Sequence, residues 1–167
     1  MKKKSVVIIS LLLCILCRIG ASAETLRGKV VKVSDGDTFT LLVAGNQQVK
    51  VRLHGIDAPE KRGSQPFSQK SKEKLSELIA GKTVSVEVNN YDRYGRALGI
   101  VSTDTHSDVN LEMIKCGMAW HYAHYDKTPA YIQAQKNAKA KRLGLWGDKN
   151  PINPYEWRKQ KKNNKRR

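Results

Sequence analysis

Cysteine is nearly missing from this chain, and its placement narrows the reading. Of three cysteines, Cys14 and Cys17 sit in a leader-like N-terminus and only Cys116 lies beyond it. No intramolecular disulfide can staple the remainder, so its stability has to come from packing. Long apolar runs are also missing: past residue 17 no stretch approaches the length of a membrane span. Internal repeats and Pro/Gly/Ser-rich linkers are absent, which leaves one domain with room for a hydrophobic core. Acidic residues are scarce, 15 against 31 Lys and Arg, for a net charge of +16. That balance favours polyanionic partners, either nucleic acid or an anionic surface.

The N-terminus is read apart from the fold. Lys2, Lys3 and Lys4 precede an apolar run over Val6–Cys17, and Ala21-Ser22-Ala23 is a small-x-small cleavage site. This predicts a signal peptide over residues 1–23, cleaved after Ala23, and a secreted or periplasmic protein. Leu13 and Leu16, rather than small residues, precede the two leader cysteines, which argues against a lipoprotein. Cleavage removes four basic residues and no acid, leaving 27 basic residues against 15 acidic ones and a net +12.

Beyond the leader, short alternating segments are separated by turn residues. Thr25–Ser34, Thr38–Val43 and Gln48–His54 read as strands joined at Asp35-Gly36-Asp37 and Ala44-Gly45-Asn46. Ser64–Ala80 reads as a helix with Phe67, Ser71, Leu75, Leu78 and Ile79 on one face and Gly81 as its stop. Thr83–Val88 alternates strictly, and Arg96–Ser102 follows as a fifth strand. A second helix runs from an Asp108 cap to Cys116, which should be a buried small hydrophobe. A third starts at Thr128-Pro129. The expected fold is an α+β, five-stranded OB-fold Greek-key barrel with three α-helices, over residues 24–157. Residues 158–167, nearly all polar or basic, should be a disordered tail.

Acids and arginines are the informative set. Asp35 and Asp37 lie between strands one and two, Arg52 lies on strand three, Asp57 and Glu60 follow it, and Arg96 opens strand five. In a barrel these positions converge at one end. Two aspartates and a backbone carbonyl suit a hard cation. A guanidinium fork matches a phosphate, and a free carboxylate can take a proton from water, so the combination suits metal-assisted phosphodiester hydrolysis. Each motif alone is a common turn or a solvated strand residue; their joint order is the specific signal. His121 and His124, two ligands three apart, do not make a zinc site. Trp120, Trp146 and Trp157 read as core or edge packing.

The succession DGDT (35–38), VRLHGIDAPE (51–60) and DRYGR (92–96), followed by NLEMIKCGMAW (110–120) and GLW (144–146), resembles the staphylococcal nuclease-like, or thermonuclease, family. The resemblance covers most of residues 25–147. It implies the OB-type barrel with three helices, and Ca²⁺-dependent hydrolysis of DNA and RNA leaving 3′-phosphate ends. It further implies Asp37 and Asp57 as side-chain calcium ligands and the backbone carbonyl of Ala58 as a third. Arg52 and Arg96 match phosphate-binding arginines, Glu60 matches the glutamate beside the attacking water, and Arg93, Tyr94 and Tyr125 match substrate-binding positions. Where some members place a tyrosine two residues before the last of these, this chain has Ala123. Nothing in the pattern requires more than a monomer. The rival reading is a non-catalytic OB-fold protein that binds single-stranded nucleic acid through a basic groove and aromatics; it leaves the full set of acids and arginines unexplained.

Overall fold

The computed structural model describes residues 24–164. The signal-peptide expectation, residues 1–23, lies outside the described residues, as do residues 165–167.

Alternation in the sequence becomes a closed barrel. Its strands are β1 (Glu24–Val33), β2 (Thr38–Leu42), β3 (Gln48–Leu53), β5 (Thr83–Tyr91) and β6 (Ala97–Ser102). They close in the order β1-β2-β3-β6-β5. All neighbours are antiparallel except β3 and β6, which run parallel with Val51 opposite Ala97. The long β1 serves two partners: Glu24–Lys29 pairs with β5 and Lys29–Val33 with β2. Gly28 sits at that changeover, where a Cβ would lie 2.2 Å from the Leu42 carbonyl oxygen, so only glycine lets the strands approach. Inward positions Phe39, Leu41, Val51, Leu53, Val84, Val86, Ala97 and Val101 are fully buried. Each of the larger ones contributes about 1.5–3 kcal/mol by leaving water.

Among the described residues four α-helices, not three, accompany the barrel: α1 (Ser68–Ile79), α2 (Val109–Lys115), α3 (Pro129–Ala140) and α4 (Pro154–Asn164). Helix α1 starts four residues later than the pattern suggested, because Ser64 and Phe67 take left-handed backbone conformations. Its Ser71 hydroxyl is buried and donates to the Met118 carbonyl at 2.7 Å, fastening α1 to the chain after α2. Asp108 caps α2 by accepting the Leu111 N–H at 2.8 Å, as its position suggested. Thr128 precedes α3 without capping it; its hydroxyl turns back to Asp126 at 2.9 Å. Cys116 is half-buried rather than buried, its thiol donating to the Met113 carbonyl. Two very short strands, β4 (Ile56–Asp57) and β7 (Trp120–His121), pair antiparallel and tie the segment after β3 to the segment after α2.

The disordered-tail expectation is corrected at residues 158–164, which are helical. Asn153 accepts the Tyr155 N–H at 2.9 Å, Pro154 opens the helix and Glu156 sits in its first turn. Capping and an acid near the positive end of the helix offset an otherwise poor composition. Gln65 holds the approach to α4 by donating to the Ile152 carbonyl at 2.7 Å. Trp157 packs over Gly63, and Trp120 meets Trp146 edge-on at 4.3 Å.

Candidate active site

Register places the first pair of site residues. Thr38 on β2 lies opposite Arg52 on β3, which sets Asp37 beside that arginine. Arg52 donates through Nη1 to Asp37 Oδ1 at 2.6 Å and through Nη2 to Asp57 Oδ1 at 2.8 Å. Asp57 reaches this point because β4 pairs with β7, Asp57 opposite Trp120. Asp37 also accepts the Thr38 hydroxyl at 2.8 Å and the Ala58 N–H at 3.0 Å. Ala58 therefore meets Asp37 through its N–H, where the resemblance singled out its carbonyl.

Both carboxylates are buried, so their charges need compensation. Burial alone would raise the pKa of Asp37, but the Arg52 guanidinium and the Ala58 N–H reverse it and hold the carboxyl below its usual range. Asp35 accepts the Asp37 N–H at 3.1 Å. Burial, followed by repulsion from Asp37, pushes its carboxyl up to about 7. Arg52 stays firmly charged: its burial opposes the charge, and Asp37 and Asp57 more than offset that.

Arg96 stands immediately before β6, the strand that runs parallel to β3 beside it. Asp92 grips it: Oδ2 accepts the Nε–H at 2.7 Å and lies 2.7 Å from Nη2 as an ion pair, while Oδ1 accepts the Tyr94 and Arg96 backbone N–H groups. The Tyr94 ring lies against both Arg93 and Arg96, with guanidinium carbons 4.9 and 5.6 Å from its centroid. Tyr125 is exposed and tilts against Tyr122 at 4.9 Å between ring centroids. Asp37, Arg52, Ala58, Glu60, Arg93, Tyr94, Arg96 and Tyr125 all line one open cleft of about 760 Å³, and Asp57 is buried behind it, bonded to Arg52. The structure thus brings every anticipated side chain to one place. Arg96 differs from Arg52 in being paired with Asp92 rather than with Asp37 and Asp57. His121, by contrast, is buried and bonded to Asp126 at 2.8 Å, a packing role.

Sequence reasoning missed Arg158 of α4. Its Nη1 donates to Asp57 Oδ1 at 3.0 Å and to Glu60 Oε1 at 2.6 Å, and its Nη2 donates to Asp57 Oδ2 at 2.8 Å. The available signal was Asn153-Pro154-x-Glu156, a helix start just before the basic run. Asp92 was legible too, since four residues separate it from Arg96.

The carboxylates present only oxygen donors, which suits a hard cation rather than a soft one. They already accommodate a second positive charge beyond Arg52, because the Arg158 guanidinium rests there as a stand-in cation. Asp37 Oδ2 and Asp57 Oδ2 each accept a single hydrogen bond, leaving lone pairs free. The donor set therefore suits a hard cation such as calcium, with Asp37 and Asp57 as the residues that would hold it. Among the described residues no three acid, histidine or cysteine side chains already face one another as a ligand cluster; the two arginines lie between them.

These features define a class: a basic OB-type barrel with guanidinium forks set over buried carboxylates in an open cleft. Comparison with known proteins narrows it. The family model for the staphylococcal nuclease homologue matches residues 50–148. An "uncharacterized endonuclease" of Haemophilus influenzae is 49% identical over 164 residues, 98% of this chain and 90% of that protein. An "uncharacterized endonuclease" of Escherichia coli is 40% identical over 81% of this chain and 87% of its own length. A "micrococcal nuclease" of Shigella flexneri is 40% identical over 82% of this chain and 83% of its own. The chain belongs to the staphylococcal nuclease family.

Proposed function

We propose that the protein is a secreted, calcium-dependent nuclease that hydrolyses phosphodiester bonds of DNA and RNA and leaves 3′-phosphate ends. The observation that carries this reading is Arg52, held between Asp37 and Asp57 in a cleft that Arg96 also lines. Membership of the family and the relatives named as nucleases support it. The leader-like first 23 residues support secretion.

A phosphodiester entering the cleft meets two planar guanidinium groups, Arg52 and Arg96. Each can present paired N–H donors to the non-bridging oxygens and so favour the added charge of a five-coordinate phosphorus. Asp37, Asp57 and Asp92 hold the two forks in position before substrate arrives, which lowers the reorganisation needed at the reacting centre. Glu60, less buried than Asp57, faces the same space and is the carboxylate available to orient a water and accept its proton. Calcium, when bound, would neutralise phosphate charge and polarise the reacting groups. Tyr94, Arg93 and Tyr125 at the rim offer faces on which bases can stack.

The test is an end-group assay. Incubated with calcium, both DNA and RNA are cut, and the DNA products resist extension by a polymerase until a phosphatase has removed their 3′-phosphates. Products that prime extension directly would contradict the proposed polarity of cleavage. Binding without any cutting would favour the non-catalytic OB-fold reading.

A further inference from the structure

The calcium reading leaves Arg158 unaccounted for. This arginine lies beyond residues 50–148, the part of the chain that matches the family model, and reaches back across 101 positions to Asp57. Its placement is built into the fold. Pro154 is buried at the start of α4, the Tyr155 ring packs on His124 at 5.0 Å, and Trp157 covers Gly63. Gln65 joins the two sides: its side chain accepts the Glu60 N–H at 2.9 Å and donates to the Ile152 carbonyl ahead of α4. The segment that delivers Arg158 and the segment that carries Glu60 are therefore fastened to each other.

The guanidinium takes up both lone-pair directions of Asp57 Oδ1 together with Arg52, bonds Oδ2 as well, and binds Glu60. A metal ion ligated by Asp57 needs the same oxygens and brings the same sign of charge. We infer that Arg158 is an internal counter-cation that competes with calcium for Asp57 and Glu60 and thereby sets the affinity of the site. The inference rests on the calcium reading above. Arg158 has a route out, since its side chain is 36% exposed whereas that of Asp57 is 2% exposed. It can swing into solvent while α4 stays packed through Pro154, Tyr155 and Trp157. In the metal-free protein it offsets the repulsion among these carboxylates; when calcium arrives the guanidinium leaves.

Calorimetric titration of the whole chain with calcium alone, no nucleic acid present, tests this. Arg158→Ala should bind calcium at least about 5-fold more tightly than the wild type, the lower end of ordinary coupling between two sites. Arg158→Lys, which retains charge without the fork, should fall between. Equal or weaker binding by Arg158→Ala, with wild-type circular dichroism, would overturn the inference while leaving the calcium reading intact. Failure of both chains to bind calcium would overturn the calcium reading and the inference with it. A second readout needs no variant beyond signal assignment. The Arg158 side-chain NMR resonance of the wild type, identified by its loss in Arg158→Ala, should move on calcium addition. An unmoved resonance at saturating calcium would show that the guanidinium does not leave.

Discussion

Arg52 carries a double duty that its position in VRLHGIDAPE only half discloses. It neutralises two buried aspartates, and under the proposed function it also meets the phosphate. Replacing it with lysine keeps the charge and loses the planar donors, so turnover should fall by roughly 10²-fold or more. Arg96→Lys should cost a similar factor, because Asp92 holds that guanidinium in a fixed pose. Steady-state kinetics on a short DNA substrate measures both, and near-normal turnover in either variant would remove that residue from the phosphate. Asp35 makes a different prediction, about stability. Its carboxyl titrates near 7 in the folded chain, against an ordinary value of 3.8. A raised folded pKa means that its contribution is complete below the unfolded value and is lost as pH rises through the folded one. In chelator, wild-type stability should therefore drop relative to Asp35→Asn as pH rises from about 4 to about 7, read by denaturant unfolding; parallel pH profiles would contradict this. The convergence of Asp37, Arg52, Asp57 and Glu60 was legible in the sequence because they fall at strand ends and in the turns beside them. Arg158 was not, since no local pattern records which side chain returns to a site from 101 positions away.

Elements report the same division between local and distant information. Strands β5 and β6 were legible because burial alternates along them, which writes a period of two into the sequence, whereas β2 is buried on both faces and was legible from the turns that bound it. Strands β4 and β7, at two residues each, are too short to carry a period, yet they place Asp57 against the barrel end. Helix α4 was missed because its composition resembles a solvated tail; tertiary packing of Pro154, Tyr155 and Trp157 overrides that composition. Turns between elements carry strict demands. Gly117, which ends α2, has a φ of +69°, and a Cβ there would lie 2.2 Å from the Leu143 carbonyl oxygen in the turn after α3. Gly117→Ala should destabilise the fold by about 2–3 kcal/mol through this strain and the clash with backbone. Thermal unfolding checks it, and a melting temperature equal to that of the wild type would contradict the close approach of the two turns.

At the scale of the whole molecule, excess positive charge and an open cleft act together on a polyanion. Lys159 and Lys162 are exposed on α4, beside the residue that reaches the cleft. Changing both to glutamine should weaken binding of long duplex DNA and reduce the slope of log affinity against log salt by roughly 0.9 for each phosphate that the lysines no longer neutralise. Turnover of a dinucleotide should stay the same, because neither side chain belongs to the site; an unchanged salt slope would show that these lysines do not touch the substrate. Calcium-dependent cutting at the Asp37–Arg52–Asp57 cluster is the central claim, and one measurement bears on it most directly. Purified chain is stripped with chelator, incubated with DNA, and then given calcium in excess of the chelator. The account predicts no cleavage before calcium and cleavage after it; full cleavage in excess chelator would contradict it.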